Sequence, residues 1–343
     1  MNSTIVGVDL AKEVFQVCVV EDGGVSYNVE MSPINFEHWL YTKSPLTIVF
    51  ETCGASNYWK QKALKYGHNA RLISARLVST VRQNQKNDHN DALAIAQAAL
   101  LPEVNFVSGK NIEQQQMQSI LRLRELSVKH KVATYNQIVA LLFEFNIKVT
   151  NKKNSLRDVI QSTLEDAENG LSVAFRNAID RSWKQYQEII QSIAIYDDCI
   201  EKSIQESLEC KRLMKLEGVG VINAINLYML LGCSDEGVFK KGRDAAACIG
   251  LTPIQHSTGG KTKLGSIGKH IKNNMLRSQL ITGAFAYINH VAKREPRSKK
   301  DRWIISLIER RGKKCAAVAL ANKTVRTAFS MLKNNTEYKV CQL

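Results

Sequence analysis

The order of strand-like and helix-like segments in the N-terminal third constrains the fold more than any other feature of the sequence. Three runs rich in β-branched residues, Ser3–Ala11, Val14–Glu21 and Ser26–Met31, are separated by short turn signals and predict an antiparallel meander. Helix-like and strand-like segments then alternate, with strands predicted at Leu46–Glu51 and Ala70–Ser74 and a turn at Val78–Arg82. Such an order predicts one mixed sheet with helices on its faces.

A five-stranded mixed sheet in this order indicates the RNase H-like α/β fold. In Gln114–Phe145 apolar residues recur at seven-residue spacing, which is typical of a coiled coil or a long helical hairpin. We therefore expect four regions along the chain: an RNase H-like domain at 1–105, a coiled coil or helical hairpin at 106–209, a mainly α domain at 210–335 and a tail at 336–343.

The positive charge of the chain is concentrated near its C-terminus. Of the formal net charge of +15, residues 240–333 contribute 21 Lys and Arg against four acids, a net of +17, and the rest of the chain sums to −2. A single basic cluster is often only a solvated face. A segment-wide imbalance of this size favours a surface that binds phosphates, because each neutralised phosphate releases counterions.

Four acids lie at strand ends and at a helix start. Asp9 and Glu51 follow strand-like runs, and Asp88 and Asp91 stand three residues apart where a polar segment turns into a helix. Each alone could be a solvated strand end or a helix cap. Together, in this fold order, their hard oxygen ligands predict a site for two Mg²⁺ ions about 3.5–4 Å apart, as in phosphoryl transfer.

Other classes of protein fit less well. An actin-like ATPase would need a later strand that ends in Asp-x-Gly, and Asp235-Glu236-Gly237 has neither the further glycines nor the hydroxyl. No apolar run approaches the roughly 20 residues of a membrane span. The eight cysteines form no CxxC pair, which argues against zinc modules and disulfides. We expect a cytoplasmic protein without membrane contact.

Two segments of the expected C-terminal domain, residues 210–335, match known motifs. Lys215–Ala224 matches a helix-hairpin-helix turn, whose amides approach a DNA phosphate, although an ordinary tight turn between helices has the same pattern. Gly250–Lys269 is rich in hydroxyls, glycines and lysines and predicts a flexible loop. The candidate nucleic-acid contacts are Gly218, Gly220, Lys261, Lys263, Lys269, Lys272 and Arg277.

Several short motifs together resemble the DEDD-type transposases of insertion sequences, relatives of the pilin-gene invertases and the bridge-RNA-guided recombinases. The similarity covers roughly residues 4–333, and it depends on the segments 7–12, 51–54, 86–92, 250–253 and 257–261. The resemblance implies a RuvC-like domain with an Asp-Glu-Asp-Asp tetrad, a coiled coil used in oligomerisation, and a C-terminal transposase domain. Carried over by position, Asp9, Glu51, Asp88 and Asp91 are the metal ligands.

The resemblance also implies a serine nucleophile that links covalently to DNA. Here the residue before the glycine pair is Thr258, and Ser257 precedes it. Position therefore favours Thr258 as the nucleophile, whereas chemistry favours Ser257, because the methyl group of a threonine adds crowding. The implied activity is Mg²⁺-dependent cleavage and rejoining of DNA by a dimer or tetramer, guided by RNA in some relatives. The alternatives are a junction-resolving or RNase H-like nuclease, which needs no nucleophilic hydroxyl, and a catalytically inactive nucleic-acid-binding scaffold.

Overall fold

A computed structural model of the chain describes residues 4–150, 155–232, 239–268 and 275–342. The N-terminal elements are β1 (Ile5–Leu10), β2 (Phe15–Glu21), β3 (Gly24–Met31), α1 (Pro33–Thr42), β4 (Thr47–Glu51), α2 (Ser56–Lys65), β5 (Asn69–Ile73), α3 (Ala75–Val81) and α4 (Asp88–Ala99).

The five strands form one mixed sheet in the order β3-β2-β1-β4-β5. β1 pairs antiparallel with β2 and parallel with β4, and β4 pairs parallel with β5. The predicted meander and mixed sheet are therefore confirmed. The turn predicted at Val78–Arg82 is wrong: α3 occupies most of this segment, because the Ser74 hydroxyl caps the helix by accepting the N–H of Leu77 at 3.3 Å.

Alternating side chains of the sheet pack into two buried layers, one on each face. On one face Val6, Val8 and Phe50 pack with residues of α1 and α2 such as Phe36 and Trp59. The opposite face is covered by α3 and α4, whose buried residues include Val78, Ala92 and Ile95. Since successive side chains of a strand point to opposite faces, strands covered on both sides are apolar throughout.

The middle region contains α5 (Ile112–Glu144), α6 (Leu156–Glu165) and α7 (Val173–Glu206). Leu121 near the start of α5 packs with Ile200 near the end of α7, and Leu142 at the end of α5 packs with Ile179 near the start of α7. The two long helices therefore run antiparallel as an intramolecular helical hairpin. A coiled coil between chains stays a prediction, as do the three boundaries between the four expected regions.

The C-terminal elements are α8 (Leu208–Leu213), α9 (Val221–Leu231), α10 (Gly242–Cys248), β6 (Pro253–Thr258), β7 (Lys261–Ile267), α11 (Met275–Val291) and α12 (Lys299–Lys333). The helices share a buried cluster that includes Leu227, Leu280 and Leu320. α12 is broken at Gly312, whose φ of 77° is not helical. In the part of the chain that the structure describes, no helix has both the length and the apolar character to span a bilayer.

The segment expected to be a flexible loop is instead an antiparallel hairpin of β6 and β7. Gly259 and Gly260 form its two-residue turn with φ of 54° and 76°, a conformation that glycine adopts without strain. Every residue of β7 is exposed, so the hairpin has no buried face there.

Candidate active site

Two of the predicted acids lie side by side at the carboxyl edge of the sheet. In the parallel pairing of β1 with β4, Val8 is opposite Phe50, and the next residues along the two strands are Asp9 and Glu51. Both carboxylates are half-buried. The sheet register alone therefore brings these two acids together.

The start of α4 carries the other two acids. Asn87 caps the helix, because its side-chain oxygen accepts the N–H of Asn90 at 2.7 Å. Asp88 and Asp91 follow in the first turn and share one helix face. Asp88 is exposed, whereas Asp91 is 7% exposed.

Gly7 brings this helix close to the sheet. A Cβ at Gly7 would lie 2.3 Å from the carbonyl oxygen of Ala92 and 2.6 Å from the amide nitrogen of Ala96, so no other residue fits here without moving α4. The backbone of α4 therefore lies directly against β1, two residues before Asp9. This close approach positions the first turn of α4 beside the acids of the sheet.

The charges of the acids act on one another. Burial raises the pKa of Asp9, and the negative charges of Asp91 and Asp88 raise it further. Burial, then the charges of Asp9 and Asp91, likewise raise the pKa of Glu51. Like charges held this close are unfavourable unless a cation neutralises them. The four acids thus form one electrostatically coupled group.

Arg82, just after α3, supplies part of that neutralisation. Its Nη1 donates to Oδ1 of Asp91 at 2.7 Å, and its charge also lowers the pKa of Glu51. Lys86 lowers the pKa of both Asp9 and Glu51. The sequence analysis assigned neither residue this electrostatic role, although their place in the segment leading into α4 was a usable signal.

A chain of hydrogen bonds from the sheet also supports the first turn of α4. Nε2 of Gln16, which is opposite Asp9 in the β1–β2 register, donates to Oδ1 of Asn28 at 2.7 Å. Nδ2 of Asn28 donates in turn to the carbonyl oxygen of His89 at 2.9 Å. These two side chains tie the sheet to the peptide between Asp88 and Asp91, and the sequence alone did not reveal them.

The donor chemistry of the acids fits a hard divalent cation such as Mg²⁺, which prefers carboxylate oxygens. Across the described ranges, however, no three carboxylate, imidazole or thiol groups are close enough together to hold one ion. Arg82 pairs with Asp91 in this arrangement. The acids are therefore gathered and coupled, and binding an ion would require their side chains to move closer together.

The two candidate nucleophiles lie at the tip of the β6–β7 hairpin, and both are exposed. Thr258 is opposite Lys261 and Ser257 is opposite Thr262. Residues opposite each other share a face and faces alternate along a strand, so Thr258 lies on the face that carries Lys261 and Lys263. No hydrogen bond within the described residues joins this tip to the acids.

The candidate nucleic-acid contacts have different surroundings. Lys261 and Lys263 are exposed on β7, whereas Arg277 is half-buried and donates from Nε to the carbonyl oxygen of Gly250 at 3.0 Å. Gly218 has φ of 75° and faces the backbone of Gly283, where a Cβ at Gly218 would lie 2.7 Å from the carbonyl oxygen of Gly283. Gly220 is the exposed N-cap of α9. Lys269 and Lys272 lie outside the described residues.

Comparison with known proteins identifies the relatives of this chain. It is 33% identical over 336 residues to a transposase for the insertion sequence element IS1111A of Coxiella burnetii, covering 98% of this chain and 91% of that protein. It is 32% identical to a probable family 20 transposase of Pseudomonas aeruginosa, covering 99% of both chains. The chain belongs to the IS110/IS116 family of insertion-sequence transposases.

Two family models match separate parts of this transposase. A transposase model of the DEDD, IS110 type matches residues 6–147, which include the four acids. A model of the IS116/IS110/IS902 transposase family matches residues 210–300, which include both hydroxyl candidates and every candidate nucleic-acid contact. The transposase is thus an enzyme that acts on DNA, with a RuvC-like N-terminal domain and a mostly helical C-terminal part, as the resemblance implied.

Proposed function

We propose that this transposase cuts and rejoins DNA strands in a Mg²⁺-dependent reaction in which Asp9, Glu51, Asp88 and Asp91 are the metal ligands. The observation that carries the proposal is the placement of Asp9 beside Glu51, with α4 held against β1 where Gly7 meets Ala92 and Ala96. Their mutual repulsion supports it, because a gathered set of carboxylates gains most from a bound cation.

The residues around the four acids have different roles in the proposed reaction. Bound divalent ions would supply charge stabilisation at the attacking and leaving oxygens of the scissile phosphate. Without a bound ion, the positive charges of Arg82 and Lys86 offset part of the repulsion among the acids. Gln16 and Asn28 hold the first turn of α4 in place.

A hydroxyl of the hairpin tip, Ser257 or Thr258, is the proposed nucleophile. Its oxygen forms a new ester bond to the DNA phosphorus while one phosphate–sugar bond breaks, and the freed DNA oxygen takes up a proton in exchange for the one that the hydroxyl loses. Attack by a second DNA end reverses the step and releases the side chain. The number of phosphodiester bonds is conserved, so rejoining needs no further energy source.

The acids and the hydroxyls belong to separate regions of the chain, which suggests sites shared between protomers of a dimer or tetramer. We propose that the acids of one protomer act with the hairpin of another. Mixing an Asp9→Ala protein with a Ser257→Ala, Thr258→Ala protein tests this, because each variant retains what the other lacks. Recovery of strand exchange in the mixture is expected, and a mixture as inactive as its components would rule out shared sites.

The proposed reaction is tested with labelled DNA that carries the ends of the element, incubated with the transposase and Mg²⁺ and separated on denaturing gels. Parallel samples receive RNA transcribed from the same element, which tests for guidance, and half of each sample is treated with protease. A protease-sensitive protein–DNA adduct is expected. It should persist in one of the single variants Ser257→Ala and Thr258→Ala and disappear in the other, which identifies the nucleophile.

The other outcomes contradict the proposal in different ways. Free hydrolysed ends without an adduct would indicate a nuclease of the junction-resolving or RNase H-like class. Binding without any strand cleavage would indicate a scaffold. Cleavage that continues in EDTA would exclude the proposed metal requirement.

A further inference from the structure

A large groove in the C-terminal region lies apart from the acids. It has a volume of about 1250 Å³ and runs between α10, both parts of α12, which contribute Trp303 before Gly312 and most of the other lining residues after it, and the base of the β6–β7 hairpin at Ile267. Its rim contains the basic residues Lys241, Arg243, Lys314, Lys323, Arg326 and Lys333. We call these six residues and the cleft between them the basic groove.

The charge of the basic groove is not neutralised within the described part of the chain. All six side chains are exposed, none forms an ion pair with a described acid, and no acid lines the cleft. The neighbouring Asp244 points back to the start of α10, where its carboxylate accepts the N–H of Lys241 at 3.2 Å. A ligand in the groove would therefore meet six positive charges.

The floor of the groove is apolar and aromatic. Trp303, Val318 and Phe329 line it and are half-buried. The ammonium of Lys323 lies 4.6 Å from the centre of the Trp303 ring, and that of Lys333 lies 5.7 Å from the centre of the Phe329 ring. A basic rim over aromatic rings suits a polyanion that also has flat or apolar parts.

The wall on the α10 side is held in place by close packing. A Cβ at Gly242 would lie 3.2 Å from both Cα and the carbonyl oxygen of Arg326, so the start of α10 lies against the backbone of α12. Lys241 and Arg243 flank this contact. The two sides of the rim therefore keep a set spacing.

We propose that the basic groove binds the sugar–phosphate backbone of a nucleic-acid strand, with phosphates at the rim and sugars or bases over Trp303 and Phe329. Sites for small molecules typically enclose about 300–1,000 Å³ and bury most of their ligand, whereas this cleft is larger and edged with exposed cations. A strand in the groove would pass the base of the hairpin that carries Ser257 and Thr258. DNA and RNA share this backbone chemistry, and the experiment separates them.

The test measures binding in EDTA, so that it does not depend on the proposed metal site or on strand cleavage. The variant Lys323→Ala, Arg326→Ala, Lys333→Ala is compared with Arg302→Ala, Arg310→Ala, Arg311→Ala, which removes the same charge from positions of α12 that do not line the groove. Fluorescence anisotropy is recorded at several salt concentrations with duplex DNA, single-stranded DNA and RNA of one sequence. Circular dichroism checks that both variants are folded.

We expect the groove variant to bind its preferred nucleic acid at least about tenfold more weakly near 0.1 M salt, with a salt dependence shallower by about 2–3 in log–log slope for duplex DNA. The matched variant should change both quantities much less. Equal losses in the two variants would show a general charge effect and overturn the proposal, as would unchanged binding by the groove variant. The strand type whose affinity falls most is the ligand.

A second measurement does not depend on substitutions. Cys315 lines the groove and is exposed, whereas Cys199 is exposed on α7. Bound nucleic acid should slow alkylation of Cys315 several-fold, as read by peptide mass spectrometry, and leave Cys199 unaffected. Unprotected Cys315 under saturating nucleic acid would contradict the proposal even if the charge variants bind weakly.

Discussion

The two regions that carry the proposed chemistry are built in opposite ways. The acids lie at the edge of a sheet covered on both faces, beside a helix packed so closely that only glycine fits at position 7. The hydroxyls lie at the tip of a hairpin whose second strand is exposed throughout. Packing against β1 thus holds the acids of α4 near those of the sheet, whereas no hydrogen bond or ion pair among the described residues joins the acids to the hydroxyls. DNA or a second protomer would have to supply that alignment.

The largest effect that would test this difference is on strand cleavage. Asp9→Asn should lower cleavage at least about 10³-fold, because losing one charged ligand removes several kcal/mol of transition-state stabilisation. Glu13→Gln, an exposed acid just before β2, is the matched control and should be neutral. The measurement is single-turnover cleavage of labelled DNA. Similar rates for Asp9→Asn and the unmodified transposase would remove Asp9 from the site.

The second effect concerns the packing that positions α4. Gly7→Ala should lower the free energy of unfolding by about 1–3 kcal/mol, as overpacking in a dense core does, because its Cβ would meet the backbone of Ala92 and Ala96. Gly24→Ala is the matched control, since its Cβ would have no neighbour nearer than 3.7 Å. Urea unfolding measures both. Equal midpoints for the two variants would mean that α4 does not need this close approach.

The third effect is the response of stability to Mg²⁺. If the acids hold the ion, Mg²⁺ at roughly 10–30 times its dissociation constant should stabilise the fold by about 1.4–2.0 kcal/mol. Asp9→Asn should be more stable than the unmodified chain in EDTA, because it removes one of the mutually repelling charges, and should lose most of the Mg²⁺ response. Thermal unfolding with and without Mg²⁺ measures this. An Asp9→Asn protein that responds to Mg²⁺ like the unmodified chain would exclude the site.

These features differ in how far the sequence predicts them. The placement of Asp9 and Glu51 at one edge of the sheet was predictable, because both acids end apolar strands and parallel strands bring their carboxyl ends to the same edge. The contacts of Arg82 with Asp91 and of Asn28 with His89 were not predictable, because they depend on how α3 and β3 pack around the first turn of α4. Pairing of side chains distant in sequence leaves no periodic pattern in the chain.

The β6–β7 hairpin was missed for a different reason. The pair Gly259-Gly260 is a typical turn signal, but the flanking segments 255–258 and 261–263 have no alternation of apolar and polar residues, because neither face is buried. The turn at Val78–Arg82 was also wrong, since a Ser74 cap was enough to start a short helix there. Exposed strands and short capped helices are therefore the elements that hydrophobic patterning does not detect.

A smaller effect is expected from the hydrogen bonds that support α4. Asn28→Ala should cost about 1 kcal/mol of stability, at roughly 0.5 kcal/mol for each of two hydrogen bonds of a half-buried side chain, since Asn28 bonds both Gln16 and the carbonyl oxygen of His89. If Asn28 positions the acids through this bond to α4, the variant should also need more Mg²⁺ for half-maximal cleavage, with Asn28→Asp as the isosteric comparison. An unchanged Mg²⁺ requirement would leave Asn28 a purely structural role.

The smallest effect on stability should come from the hairpin turn. Gly260→Ala puts a Cβ on a residue with φ of 76° and should distort the turn, yet no atom lies within 4 Å of that Cβ and the strands bury no face. The global free energy of unfolding should therefore change by less than about 0.5 kcal/mol, while formation of the protein–DNA adduct falls sharply. Urea unfolding and adduct yield are measured on the same preparation. A loss of stability as large as that of Gly7→Ala would show that the hairpin is packed in solution, and the contrast between the two regions would then be wrong.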